Sequence, residues 1–453
     1  MTRAQRLVLV VSILASFVAL LDGSVVNVAL PAIVRDLGGG LVTQQWVVDA
    51  YLITLGALIL LAGSLSDLFG RRRILAAGLL GFGVASVLCA VAPSAVFLIV
   101  ARALQGVAGA LLVPSSLALI MSAFSGAGEG KAIGQWTAWT GIAFIFGPLL
   151  GGFLVDQASW RWVFGINIIP IGLCLWLLRG VAASKVPKGA RLDIAGAVLC
   201  SLGLFGAVFA LIEQPHHGWG SPVIWLPLAA GILALVVFVW YEARAKDAML
   251  PLSLFRVRNF SAGNVATVGI YAGLSIATFL IVIYLQQVSG YSALAAGFAL
   301  LPVTILMFFL SPRFGALSGR FGPRAFMTFG PLVAGLGFLL MLRAGTHVQY
   351  WSELFPGVVV FGLGLSVTVA PLTSAVLGDV DTSRSGIASA INNAVARIAG
   401  LVAVAFAGVI VGTNLDLPGF RRAIIATALM VAFGGVVSWV GIRNSVRLKD
   451  KEA

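Results

Sequence analysis

Gly63-Ser64-Leu65-Ser66-Asp67-Leu68-Phe69-Gly70-Arg71-Arg72-Arg73 lies between two long apolar runs. Two helices that cross a membrane and reverse at one face need a short turn of this kind. Glycine lets the backbone bend and neighbouring helices approach, and the arginines stay on the cytoplasmic side. The stretch returns 252 residues later as Gly315-Ala316-Leu317-Ser318-Gly319-Arg320-Phe321-Gly322-Pro323-Arg324. Gly63, Leu65, Ser66, Phe69, Gly70 and Arg72 recur at Gly315, Leu317, Ser318, Phe321, Gly322 and Arg324. A repeat at this offset divides the protein into two related halves.

Composition agrees with a membrane setting. Of the 453 residues, 60% are hydrophobic and 10% charged, and the mean hydropathy is +1.05. A soluble domain is about half apolar and about a quarter charged, so the chain reads as an all-α polytopic membrane protein. The net charge of +13 does not form a nucleic-acid patch, because the cations gather in alternate loops. Cys89, Cys174 and Cys200 fall inside apolar runs at no metal-like spacing and read as buried thiols. His216, His217 and His347 fall where short inter-helix loops are expected, without a third metal ligand. The N-terminal run is too long for a signal peptide and reads as an uncleaved first span.

A span needs about 20 apolar residues. The runs are 7–30, 46–66, 74–93, 97–121, 131–155, 161–179, 191–212, 222–241, 261–285, 293–314, 325–343, 351–377, 385–411 and 421–442. Fourteen spans put both termini on one side. Arg71 to Arg73, Lys185, Lys188, Arg191, Arg244, Lys246, Arg256, Arg258, Arg313, Arg320, Arg324, Arg443, Arg447, Lys449 and Lys451 make that side cytoplasmic. The offset maps the first, second and fifth spans onto the ninth, tenth and thirteenth, and the seventh and eighth belong to neither repeat. The expected domains are a six-helix bundle at 1–180, linkers and an inserted pair at 181–258, and a second six-helix bundle at 259–453.

Ionisable groups inside spans are expensive and therefore functional candidates. At 1.5 Å per residue, Asp22 lies about 12 Å and Arg102 about 8 Å below the outer boundary, so the two can meet. Asp22 then either exchanges a proton, with Arg102 or a cationic cargo competing for its charge, or forms a permanent ion pair with Arg102. Asp49, beside Trp46 and Tyr51, is an interfacial acid and a second-choice proton site. Arg397 lies about 18 Å into its span, one turn after Asn392 and Asn393, and needs polar, acidic or substrate partners. Glu213, in the inserted pair, reads as solvated. The run Gly141 to Gly152 joins close-packing glycines to the helix-kinking Pro148. No Walker loop, catalytic triad or ligand cluster occurs, so no enzyme is read, and an ion gradient supplies the energy without a cofactor.

These stretches together resemble the major facilitator superfamily, specifically its fourteen-helix drug:proton antiporter family. The resemblance is carried by Leu21-Asp22-Gly23-Ser24-Val25-Val26-Asn27-Val28-Ala29-Leu30-Pro31, Gln45 to Tyr51, Gly63 to Arg73, Arg102 to Ala110, Gly141 to Gly152 and Trp160 to Pro170. It implies two six-helix repeats plus an inserted pair, and a multidrug exporter working by alternating access. Asp22 would couple to protons or bind a cation, Arg102 would assist, and Asn27 would belong to the same site. Gly63, Asp67, Gly70 and Arg71 would govern closure on the cytoplasmic side, and Gly147 and Pro148 would shape the moving bundle. The expected partners are a small amphipathic, cationic cargo, protons and the bilayer, with a monomer in the cell or inner membrane. An exporter of lipid, siderophore or metabolite is the alternative within transport. A membrane sensor is the alternative outside it.

Overall fold

The computed structural model describes residues 1–124, 127–182, 193–245, 249–381 and 384–444; the side chains of Leu60, Asp67, Ala127 and Ser385 lie outside the description. So do the loop cations Lys185, Lys188, Arg191, Lys246, Arg447, Lys449 and Lys451. The described residues form helices joined by turns, with no strand. In chain order they are α1 (Arg3–Leu37), α2 (Gly40–Phe69), α3 (Arg71–Ala90), α4 (Ala95–Ala110), α5 (Leu112–Ala123), α6 (Ala127–Gly141), α7 (Ala143–Gln157), α8 (Trp162–Gly165) and α9 (Ile168–Leu178). There follow α10 (Ile194–His217), α11 (Pro222–Glu242), α12 (Arg258–Gln287), α13 (Ala293–Ala299), α14 (Leu301–Phe321), α15 (Pro323–Leu340), α16 (Phe355–Gly378), α17 (Ser385–Val411) and α18 (Leu417–Gly441).

Several spans are broken where the sequence shows one apolar run. Proline explains two of the breaks: Pro114 cannot donate to the carbonyl of Ala110, and Pro302 cannot donate to that of Phe298. The helix therefore restarts at Leu112 and at Leu301. Among the described residues, 13 helices are long and apolar enough to cross a membrane, and Trp162–Leu178 is apolar but shorter. That short piece is the expected sixth span. It is turned at Ile166 and Asn167 between α8 and α9.

The repeated turn is a matter of one glycine in each half. Gly70 has φ 92° and Gly322 φ 86°, a left-handed region costly for any residue with a Cβ. Their amides return to Ser66 at 3.1 Å and Ser318 at 2.9 Å. The same serines reach across: Ser66 Oγ is 2.5 Å from Ser115 Oγ, and Ser318 Oγ is 3.5 Å from Ser374 Oγ. Arg72 donates to the carbonyl of Arg179 at 3.4 Å, and its counterpart Arg324 to that of Trp439 at 3.0 Å. The sequence repeat is thus a repeat of hydrogen bonds. Gly63 differs from the expectation of close approach, because a Cβ there would have nothing within 4 Å.

The chain packs as two compact units. Unit one comprises Met1–Met249, Phe279–Phe298 and Val404–Gly419; unit two comprises Leu250–Thr278, Ala299–Ala403 and Phe420–Ala453. In unit one, Val11, Ala15 and Val18 of α1, Tyr51 and Leu55 of α2, Leu75, Leu79 and Phe82 of α3 and Ile171 of α9 form a shared core. Close packing holds such a core more than exclusion from water does, since lipid is as apolar as leucine. Cys89, Cys174 and Cys200 are buried, at 0%, 0% and 6% exposure. Large apolar side chains turn outward instead, among them Val96, Ile169 and Trp351, as lipid contact allows.

The inserted pair, α10 and α11, belongs to unit one, where α10 lies against α2. Trp46 Nε1 donates to Glu213 Oε1 at 2.9 Å, and the Trp46 ring meets Phe205 and Phe209 at 6.1 and 6.0 Å. Glu213 is therefore a half-buried acceptor, not the solvated acid its place at a span end suggested. His216 and His217 lie in the last turn of α10, not in a loop.

Candidate functional site: a buried acid–arginine cluster

Ser94 caps α4, accepting from the Phe97 amide at 3.3 Å, and this sets the register of the helix. Arg102 then falls about 11 Å along α4, and Gln105, three residues on, shares its face. Both point at Asp22 of α1. Asp22 Oδ2 accepts from Arg102 Nη1 at 2.6 Å. Its Oδ1 accepts from Gln105 Nε2 and from Asn167 Nδ2, each at 2.9 Å. Gln105 Nε2 also donates to Ser86 Oγ at 2.9 Å.

Arg102 is held on every side. Its Nη1 donates again to Gln105 Oε1 at 2.7 Å and its Nε to the Val47 carbonyl at 3.0 Å. The guanidinium carbon stands 4.3 Å from the centre of the Tyr51 ring. Asp22 is 0% and Arg102 2% exposed. An ion pair so buried persists because further polar groups serve it, Gln105 and Asn167 on the carboxylate and the Val47 carbonyl on the guanidinium. The carboxylate thus has one ionic partner, Arg102, and two neutral amide donors, Gln105 and Asn167, so α1 and α4 are tied by a charge within a neutral hydrogen-bonded frame.

The other sequence candidates fall elsewhere. Asp49 is 0% exposed, and among the described residues neither carboxylate oxygen has a hydrogen-bond partner. It lies about 14 Å along α2, which begins at Gly40, and is shut within the helix packing. Asn27 is half-buried and, five residues after Asp22, sits about 140° round α1 from it, away from the cluster. Arg397 is half-buried on α17 in unit two.

Arg71 Nη1 donates to the Ala118 carbonyl at 2.9 Å. The backbone of Asp67 is in α2, but its side chain lies outside the described residues. A Cβ on Gly147 would fall on Ser24 Oγ, and one on Gly151 would stand 2.9 Å from the Val25 carbonyl oxygen. Ser24 Oγ itself bonds the Ala143 carbonyl at 3.1 Å. Glycine is thus what lets α7 lie on α1. On its other side α7 meets α13: a Cβ on Gly152 would be 2.5 Å from Leu294 Cα, and one on Gly297 2.6 Å from the Pro148 oxygen. The Asp156 carboxylate accepts from the amides of Ala293 at 3.1 Å and Leu294 at 2.9 Å.

Sequence reasoning missed Gln105, Asn167, Ser86 and Tyr51 as members of the cluster. The signal for Gln105 was its i+3 spacing from Arg102, and for Asn167 an amide inside an apolar run. No three of His, Cys, Asp or Glu gather as a metal site among the described residues.

The chain thus carries membrane-length helices, a repeated turn in each half and, within unit one, a buried charge pair. The profile of the Major Facilitator Superfamily matches residues 12–404 and, again, 265–453. The chain belongs to that superfamily. It is 37% identical over 410 residues to the puromycin resistance protein pur8 of Streptomyces alboniger, covering 88% of this chain and 80% of that one. It is 34% identical to the tetracenomycin C resistance and export protein of Streptomyces glaucescens, covering 87% and 74%. The methylenomycin A resistance protein of Bacillus subtilis is also 34% identical, covering 89% and 87%. The fold is similar to that of a peptide transporter POT in complex with sulfate, with TM-score 0.72, 16% identity and coverage of 97% and 94%. It is likewise similar to the xylose transporter XylE from E. coli, with TM-score 0.69, 14% identity and coverage of 98% and 99%. The protein is a multi-pass membrane transporter.

Proposed function

We propose that the chain exports amphipathic, cationic drug-like compounds in exchange for protons, by alternating access, with Asp22 as the coupling carboxylate. The observation that carries this is the buried Asp22–Arg102 pair at 2.6 Å, an acid shut from water whose charge only a proton changes and whose ionic partner a cation can displace. The relatives named for resistance to puromycin, tetracenomycin C and methylenomycin A support a drug-like cargo, without bearing on its charge. A proton arriving from outside releases Arg102 from Asp22 and loosens α1 from α4; its departure inside restores the pair. Coupling follows if the two arrangements favour opposite-facing states.

Asp49, whose buried oxygens have no donor among the described residues, is the second proton-carrying residue. Gly63, Asp67, Gly70 and Arg71 act in cytoplasmic closure, and Gly147 with Pro148 in the rocking of α7 on α1. The proton gradient is the energy source, no cofactor is needed, both termini are cytoplasmic, and the working unit is a monomer.

The test is efflux of a lipophilic cation from proteoliposomes under an imposed pH gradient, with wild type against Asp22→Asn. The expected result is gradient-driven movement in the wild type and its loss in the variant, with binding retained. Equal gradient-driven efflux in both would remove Asp22 from coupling. No movement in the wild type would remove the cationic cargo and turn attention to lipids, siderophores or metabolites.

A further inference from the structure

Asn264, Thr267, Tyr271, Ser275 and Thr278 recur every three or four residues along α12, which puts them on one face. α17 answers with Asn392, Arg397 and Gly400. Asn392 Nδ2 donates to Asn264 Oδ1 at 3.1 Å and to Thr267 Oγ1 at 2.9 Å. Arg397 comes 126 residues after Tyr271, within one residue of the separation of the paired positions on either side, so the two stand at one level of the helix pair. A Cβ on Gly400 would stand 2.5 Å from Ser275 Oγ. Partners separated in number by 125 to 128 at each level mean two parallel helices with their polar faces in register. All of this lies within unit two.

Arg397 is the one charge in that seam. It sits about 18 Å along α17 from Ser385, in mid-span. Among the described residues no hydrogen bond or ion pair reaches its guanidinium. The described carboxylates of unit two are Glu353, Asp379 and Asp381, all at helix ends or in turns. Glu353 is taken by the amides of Gly345 and Gln349 and Asp379 by Asn259. The neutral neighbours are occupied too: Thr267 donates to the Gly263 carbonyl at 2.8 Å and Asn264 to that of Phe260 at 2.8 Å. At the repeat offset Asp22 falls on Leu274 and Ile145 falls on Arg397. The second half therefore does not rebuild the acid–arginine pair; it carries a cation whose counter-charge it does not supply. A half-buried guanidinium at this depth calls for an anion, and its planar fork suits an oxyanion.

We infer that Arg397, seconded by the Tyr271 hydroxyl, binds an acidic group of the cargo, a carboxylate or similar oxyanion. Together with the cationic group proposed above, this makes the preferred cargo a zwitterionic amphiphile. The inference rests on the exporter reading for its cargo, and on unit two alone for its site.

The test uses the full chain in nanodiscs with tetramethylrhodamine, which carries a free carboxylate, and its methyl ester, which does not. Fluorescence polarisation reads the two affinities. The wild type should bind the free acid about ten-fold tighter than the ester, the scale of one charge-assisted pair. Arg397→Gln should abolish that preference while leaving ester affinity within about two-fold, and Arg397→Lys should keep part of it. Tyr271→Phe, a milder change, should reduce the preference if Arg397→Gln does not fold. A wild type without preference for the acid, including one that binds neither probe, overturns the inference. So does a preference unchanged in Arg397→Gln, or in both Arg397→Lys and Tyr271→Phe. Equal gradient-driven efflux of both dyes would sink this inference and leave the exporter standing. Acid-selective binding without efflux of either dye would keep the site and sink the exporter.

Discussion

Arg102 brings a guanidinium to a place without water, and its contacts fix what each substitution does. Arg102→Ala leaves Asp22 buried without its counter-ion and should cost about 3–5 kcal/mol of folding stability, read as denaturant unfolding of the purified protein. A loss below about 1 kcal/mol would mean that the pair is not desolvated as its burial indicates. Asp22→Asn combined with Arg102→Gln should lose less than the two single changes added together, because the pair is removed whole. The pairing of Asp22 with Arg102 was legible in the sequence, because depth along a helix is a simple product of residues and rise. Gln105 and Asn167 were not, since a neutral amide in an apolar run has many uses. Glu213 was misread for a physical reason: Trp46 offers it a donor from far away in the chain. The burial of Asp49 was not legible either, since the second helix starts six residues earlier than its apolar run, at Gly40 instead of residue 46.

Between elements, glycine marks where geometry allows nothing else. Gly70→Ala and Gly322→Ala should each cost about 1–3 kcal/mol, because a Cβ is strained at positive φ with extended ψ, and at Gly322 it would also meet the Asn444 side chain. Gly63→Ala, in open space within α2, should be neutral or stabilise by up to about 1 kcal/mol. Thermal unfolding of the three variants side by side checks both statements, and a costly Gly63→Ala would contradict the open space. Gly152→Val should lower transport several-fold by pushing Leu294 of the α13 segment away from α7, and unchanged transport would show that the two helices part freely. The repeat was readable because one turn of chain must recur wherever the same reversal recurs. The breaks at Leu111 and Leu300 were readable only in hindsight, since proline in a membrane helix bends some spans and interrupts others.

For the molecule as a whole, Asp156 ties the end of α7 to the first amides of α13 through two bonds at 3.1 and 2.9 Å. Asp156→Ala should raise amide deuterium exchange over residues 293–298 by at least about ten-fold, the equivalent of about 1.4 kcal/mol. No change would show that those amides are protected by other contacts. The loop cations predict that both termini face the cytoplasm, so a green fluorescent fusion at either end should fluoresce in intact cells; a dark fusion at either end would reverse that topology. Three thiols complete the inventory of the chain: Cys89, Cys174 and Cys200, none of them bonded to another and all shut among helices. A maleimide dye added to the native transporter should find nothing to modify. The unaltered chain is therefore its own blank, ready for single reporter cysteines to be introduced one position at a time.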